Sequence, residues 1–141
     1  MDPKIRARLE SKSGKTLYGY QKLAIDEMME KFVEKQTNYN LLFQLPTGGG
    51  KTVIFSELAK KFILSSGKKV LILTHRIELL GQTSKLLSEI GVPNKVINAK
   101  VKDLDDGKEH WCYVAMVETL NNRINDEQME FENLGLVIVD E

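Results

Sequence analysis

Apolar runs of strand length alternate along the chain with longer stretches of helical period, an order that predicts an α/β domain built round a mostly parallel sheet. From Tyr20 to about Lys35, Ala24, Met28 and Phe32 recur every fourth residue beside Leu23 and Met29, which predicts a helix with one apolar face. The polar stretch Gln36 to Tyr39 ends it. Leu41 to Leu45 is a short, nearly continuous apolar run, as in a strand buried on both faces. Pro46-Thr47-Gly48-Gly49-Gly50 can continue neither strand nor helix. Helical spacing resumes from Lys51 to Ser65 through Ile54, Leu58 and Phe62, and Gly67 is placed to stop it as a left-handed C-cap.

Val70 to Leu73 predicts a second buried strand. A helix from about Ile77 to Ile90 follows, with Leu79, Leu80, Leu86 and Leu87 inward and Gly91 and Pro93 ending it. Lys95 to Asn98 predicts a third strand, Asp105-Asp106-Gly107 a turn, Trp111 to Met116 a fourth strand, and Leu134 to Val139 a fifth that runs into Asp140-Glu141.

The glycine stretch carries the first candidate chemistry. A polyphosphate needs several backbone N–H groups converging on it, and glycines let the chain curl closely enough to present them. The helix beginning at Lys51 adds its positive end, the Lys51 ammonium can bridge β- and γ-phosphates, and the Thr52 hydroxyl can ligate Mg²⁺. Leu45 to Thr52, LPTGGGKT, therefore predicts a phosphate loop, with Leu45 where the general G-x-x-x-x-G-K-[ST] pattern has glycine. Gly14-Lys15-Thr16 repeats its last three letters, but no apolar run feeds it, so it is expected to be linker. The apolar run ending in Asp140-Glu141 puts two acids at the carboxyl edge of a sheet, where ligands of α/β folds bind. Asp140 is expected to hold Mg²⁺ through its water shell and Glu141 to orient the attacking water.

Composition narrows the setting. The 141 residues fit one domain, and with 42% apolar and 28% charged residues the balance is that of an ordinary globular protein, with disorder expected only near the ends. Twenty Lys and Arg against twenty Asp and Glu leave no basic excess to announce a nucleic-acid partner. Charge is uneven all the same: residues 1–16 form a basic, polar start and residues 126–141 an acidic end, both expected to be solvated surface. A single cysteine, Cys112, and two distant histidines form no disulfide or zinc pattern, so a reducing, cytoplasmic setting is expected. No apolar run approaches the roughly 20 residues that span a bilayer, so no membrane partner is expected.

LPTGGGKT, then VLILTHRIELLGQT, then LVIVDE, in this order and spacing, resemble motifs I, Ia and II of superfamily 2 helicases, closest to the duplex translocases grouped with type III restriction subunits. The resemblance covers about residues 17–141, after a polar N-terminal segment, residues 1–16. It implies a three-layer P-loop NTPase (RecA-like) fold and the ATP-binding part of an ATP-driven helicase or translocase, with ATP and Mg²⁺ as cofactors and DNA more than RNA as the track. It implies that Gln21, in LYGYQ, reads the adenine edge, that Pro46, Thr47, Gly48, Gly49, Gly50, Lys51 and Thr52 hold the phosphates, and that Lys51, Asp140 and Glu141 carry catalysis. His75 and Arg76 stand where the family touches the tracked strand, and Val114 to Leu120 resembles the next contact segment, with Met116 and Glu118 where Thr and Gln are usual. A further strand and a second motor domain supplying arginines are implied beyond Glu141. The sheet formed by these residues is expected to be incomplete, with an open slot between Leu41–Leu45 and the strand ending at Asp140, and the chain to be poorly stable alone and to hydrolyse ATP slowly. A P-loop NTPase of another class and a non-catalytic nucleotide- or nucleic-acid-binding module stay open at this point.

Overall fold

The computed structural model of the chain describes residues 2–11, 19–34, 50–97, 109–119 and 133–140, with the side chains of 32–34 and 140 excepted. The expected strand at 41–45, the loop at 46–49, the linker at 14–16, the turn at 105–107 and Glu141 lie outside the described residues. The elements are α1 (Pro3–Ser11), α2 (Gly19–Glu34), α3 (Lys51–Ser66), β1 (Lys69–Thr74), α4 (Ile77–Glu89), β2 (Asn94–Ile97), β3 (Cys112–Met116) and β4 (Leu134–Asp140).

The four strands make one sheet in the order β2-β3-β1-β4, every neighbouring pair parallel. Successive side chains alternate between its faces. Val70 and Ile72 of β1, Cys112 and Val114 of β3 and Ile138 of β4 share one face, and the buried residues of all four helices gather against it. The other face carries Leu71, Tyr113, Ala115 and Ile97 as a second buried cluster, with Leu73 packed beside it. On that face the half-exposed Val137 and Val139 of β4 stand level with Leu71 and Leu73. Of the three layers expected, the described helices supply the one on the first face. β4 pairs with β1 on one side, and its other edge has no partner among the described residues.

The register of β1 and β4 slips by one residue between Lys69 and Val70, and Gly135 is the extra residue. Glycine fits there for a steric reason: a β-carbon would lie 2.7 Å from the Lys68 side chain and 3.0 Å from the Phe62 ring.

α3 stops as its sequence predicts. Gly67 takes the left-handed conformation at φ 68°, and its N–H donates to the Ile63 carbonyl at 2.9 Å. A two-residue link, Gly67-Lys68, then leads into β1, so the C-terminal end of α3 lies at the amino end of the parallel strands. Sixteen residues make α3 about 24 Å long. Packed against β1 and β4, it brings its N-terminus back to the carboxyl edge of the sheet.

Two expectations need correction. Leu23 is not on the inward face of α2 but 71% exposed. At 100° per residue the buried positions Gln21, Ala24, Ile25 and Met28 share one side of the helix, and Leu23 falls opposite them. The polar start is not merely solvated surface, since Pro3–Ser11 forms α1 and buries Leu9 completely against the helix layer. Arg6 donates to the Leu64 carbonyl in the last turn of α3 at 3.3 Å, and buried Lys60 donates to the Ile90 carbonyl at the end of α4 at 3.0 Å. Both cations meet the negative ends of helices. Burial holds the Lys60 ammonium below its ordinary pKa, and neighbouring Glu57 acts in the opposite sense.

Leu9→Ala is expected to lower unfolding free energy by about 2–5 kcal/mol, the range for a fully buried leucine. Urea denaturation checks this, and a change below about 0.5 kcal/mol would show that α1 is not docked in solution.

Candidate nucleotide and nucleic-acid site

Gly50 is the described end of the glycine stretch, and it sits at φ 73°, ψ 42°, the left-handed region open to glycine at little cost. Its carbonyl accepts from Ile54 N at 3.1 Å, which starts α3, and no side chain caps the helix. The first-turn N–H groups, the helix dipole, Lys51 and Thr52 therefore share one position. Lys51 and Thr52 are half-buried.

Gln21 is brought to the same place from α2. It is 4% exposed, and a β-carbon built on Gly50 would overlap its side-chain amide nitrogen. Gly50 is thus required twice, by its backbone conformation and by the approach of the Gln21 amide. Lys61 of α3 donates to Asp26 of α2 at 2.9 Å and fastens the two helices about three turns of α3 away from this contact. That hydrogen bond holds the Asp26 carboxyl below its ordinary pKa, against the desolvation that would raise it.

A second group of residues occupies the strand ends. Thr74, 2% exposed, closes β1, and its Oγ1 accepts from Arg76 N at 3.1 Å, turning the chain out of the sheet. This leaves His75 and Arg76 exposed at the carboxyl edge, immediately before α4. Thr74 is level with Asp140 on one side and Met116 on the other. Residues 117–119 form a helical turn beyond Met116, with Glu118 exposed. Thr74 was not singled out as a site residue from sequence, and its signal was a hydroxyl two places before a basic residue at a strand end. Pro46, Thr47, Gly48, Gly49 and Glu141 lie outside the described residues, as does the side chain of Asp140.

α4 opens at Arg76 with no side-chain cap. Gly81, one turn beyond Ile77, is exposed, and a β-carbon there would meet nothing within 4 Å. Glycine at a helix interior costs about 1 kcal/mol relative to alanine, and among the described residues no close packing offsets it.

Two other features fall away from this edge. Cys112 is fully buried in β3, and burial drives its thiol pKa far up, so it stays protonated and is neither nucleophile nor ligand. An open cleft of about 260 Å³ lies at the opposite end of the sheet, where Arg8, Asn94 and His110 are among its walls. No cluster of three metal-binding side chains occurs among the described residues.

Comparison with known proteins bears on this arrangement. Over 136 residues the chain is 33% identical to "Putative ATP-dependent helicase IRC3" of Saccharomyces cerevisiae, covering 92% of this chain and 19% of that protein. It is 30% identical over 108 residues to "DNA polymerase theta" of Drosophila melanogaster, covering 72% of this chain and 5% of that protein. The chain therefore spans less than a fifth of the length of either relative. A solved structure of a nuclease-deletion mutant of the Type ISP restriction-modification enzyme LlaGI, in complex with a DNA substrate mimic, aligns with a TM-score of 0.49 and 22% identity over 89% of this chain and 12% of that one. Residues 14–141 match the family described as ResIII, type III restriction enzyme, res subunit. With its all-parallel sheet flanked by helices and its glycine-to-helix entry, the chain belongs to that family, the first motor domain of superfamily 2 helicases.

Proposed function

We propose that this chain is the ATP-binding part of an ATP-driven nucleic-acid helicase or translocase, coupling hydrolysis to movement along a strand in the protein that carries it. The observation that carries the reading is the packing of the Gln21 amide on left-handed Gly50, where α3 opens uncapped with Lys51 and Thr52. Such a corner fits a nucleotide. Convergent N–H groups suit a polyphosphate, and an amide with both donor and acceptor suits an adenine edge.

In this reading Pro46 to Gly50 wrap the phosphates, Lys51 neutralises charge between the β- and γ-phosphates, and Thr52 with Asp140 holds Mg²⁺. The ion held there would offset the negative charge that builds on the phosphate oxygens. Glu141 accepts a hydrogen bond from the attacking water and aligns it on the γ-phosphorus. His75 and Arg76 meet the sugar-phosphate backbone of the strand, helped by the uncapped start of α4. The track is DNA, supported by the relative whose name is a DNA polymerase. No described helix is long and apolar enough to cross a membrane, and with Cys112 buried and unpaired a cytoplasmic setting fits.

Nucleotide titrations of the chain test the corner directly. The chain is expected to bind Mg-ATP in preference to Mg-GTP. Gln21→Glu, which keeps size but loses the amide donors, is expected to weaken ATP at least tenfold, in line with about 1–3 kcal/mol for a buried hydrogen-bonding group left unmatched. Equal ATP affinity in the variant would remove Gln21 from the site.

A further inference from the structure

Ser56, in the second turn of α3, is 0% exposed, and its Oγ has no hydrogen-bond partner among the described residues. A serine inside a helix often turns its hydroxyl onto the carbonyl four residues back, here that of Thr52, and Ser56 does not take even this local option. A buried hydroxyl left unmatched costs stability. Alanine would fill the same space, suit the helix better and carry no such cost, so the fold alone gives no reason for the hydroxyl.

The packing of α3 on β1 sets a partner opposite it. Thr52, Ser56, Ala59 and Ile63 follow one another at steps of four, three and four, along one ridge of α3. Ala59 and Ile63 join the same core cluster as Val70 and Ile72 of β1, so this ridge faces β1. Thr74 continues the alternation of Val70 and Ile72 onto that side of the sheet. From the link at Gly67-Lys68, β1 rises about 16 Å between Lys69 and Thr74. Helix covers that length in about eleven residues, and counted back from Ser66 these end near Phe55, which sets Ser56 level with Thr74. Thr74 is 2% exposed, and its Oγ1 accepts from Arg76 N, which leaves the hydroxyl proton to give.

We infer that Ser56 is a positioning residue of the nucleotide site, whose hydroxyl accepts the Thr74 proton when the first turns of α3 seat on phosphate. The inference rests on the proposed phosphate site at Lys51 and Thr52. A ligand held at the uncapped end of α3 settles the ridge that runs from Thr52 to Ser56, and the bond to Thr74 fixes that position against β1. Because the bond forms together with the ligand contact, it adds to the ligand's affinity. Thr74 Oγ1 also holds the Arg76 N–H, so the same bond strengthens the turn that closes β1.

Isothermal titration with Mg-ATP, thermal melts and amide exchange by NMR on the full chain test this link. Ser56→Ala is expected to weaken Mg-ATP about fivefold or more with an equal or higher thermal midpoint, results that a merely structural serine would not give together. Thr74→Val should weaken Mg-ATP as well, and adding Ser56→Ala to it should weaken binding no further, because both changes remove one bond. In the parent, Mg-ATP should slow exchange of the Arg76 amide, and in Ser56→Ala it should not. Parent-like affinity or a lowered midpoint in Ser56→Ala, a further loss in the double variant, or an Arg76 amide that Mg-ATP does not slow overturns the inference. Lys51→Ala separates the two levels. If it abolishes ATP binding while Ser56→Ala binds as the parent does, the phosphate site stands and the Ser56 link falls. If Lys51→Ala binds as the parent does, or the parent binds no Mg-ATP, both fall.

Discussion

Lys51→Ala is expected to abolish measurable ATP binding while the fold is retained and binding of an oligonucleotide at the carboxyl edge persists. Alanine is the better helix former at the opening of α3, and Lys51 is only half-buried, so the fold loses little. The ligand loses the charge placed where α3 starts uncapped, and with it a charge-assisted hydrogen bond to phosphate. Removal of one such contact in a partly desolvated site costs about 2–4 kcal/mol, or roughly thirty- to a thousandfold in affinity. Isothermal titration with Mg-ATP, beside a thermal melt of the same sample, reads both quantities. Parent-like ATP affinity in the variant would mean that the glycine stretch and α3 do not form a phosphate site.

Gly50→Ala carries the second large effect, and the chain supplies its own control. Gly50 and Gly67 are both left-handed, at φ 73° and φ 68°, so alanine costs each about 1–2 kcal/mol of backbone strain. They differ in what a β-carbon would meet: nothing within 4 Å at Gly67, the Gln21 amide at Gly50. Gly67→Ala should therefore lose stability alone. Gly50→Ala should lose about 1 kcal/mol more, because buried Gln21 must shift, and should weaken ATP at least tenfold as well. If the two variants bind ATP alike, the contact between α2 and the opening of α3 does not serve the nucleotide.

Much of this arrangement was legible in the residues themselves. The spacing of Ile54, Leu58 and Phe62 marked α3, Gly67 marked its end, and the apolar runs before Thr74, Met116 and Asp140 marked three strands, because each signal lies within a few residues. α1 escaped because in nine residues it buries one side chain fully, Leu9, and packs Ile5 partly, leaving a periodic signal of a single turn amid four charges. Leu23 misled because a leucine beside an apolar stripe looks inward until the helix phase is fixed by Ala24, Ile25 and Met28. The glycines predict a phosphate loop that lies, apart from Gly50, outside the described residues, and nothing local could show that Gln21, twenty-nine positions earlier, rests on Gly50. Contacts between distant segments belong to packing, as does the placing of β3 between β1 and β2.

The family match begins at residue 14, while the buried leucine of α1 is residue 9. A recombinant version trimmed to the family boundary would lose the plug and uncover an oily hole over the second half of α3. Expression designs for this protein, and tags or protease sites at its beginning, should leave those first eleven residues in place.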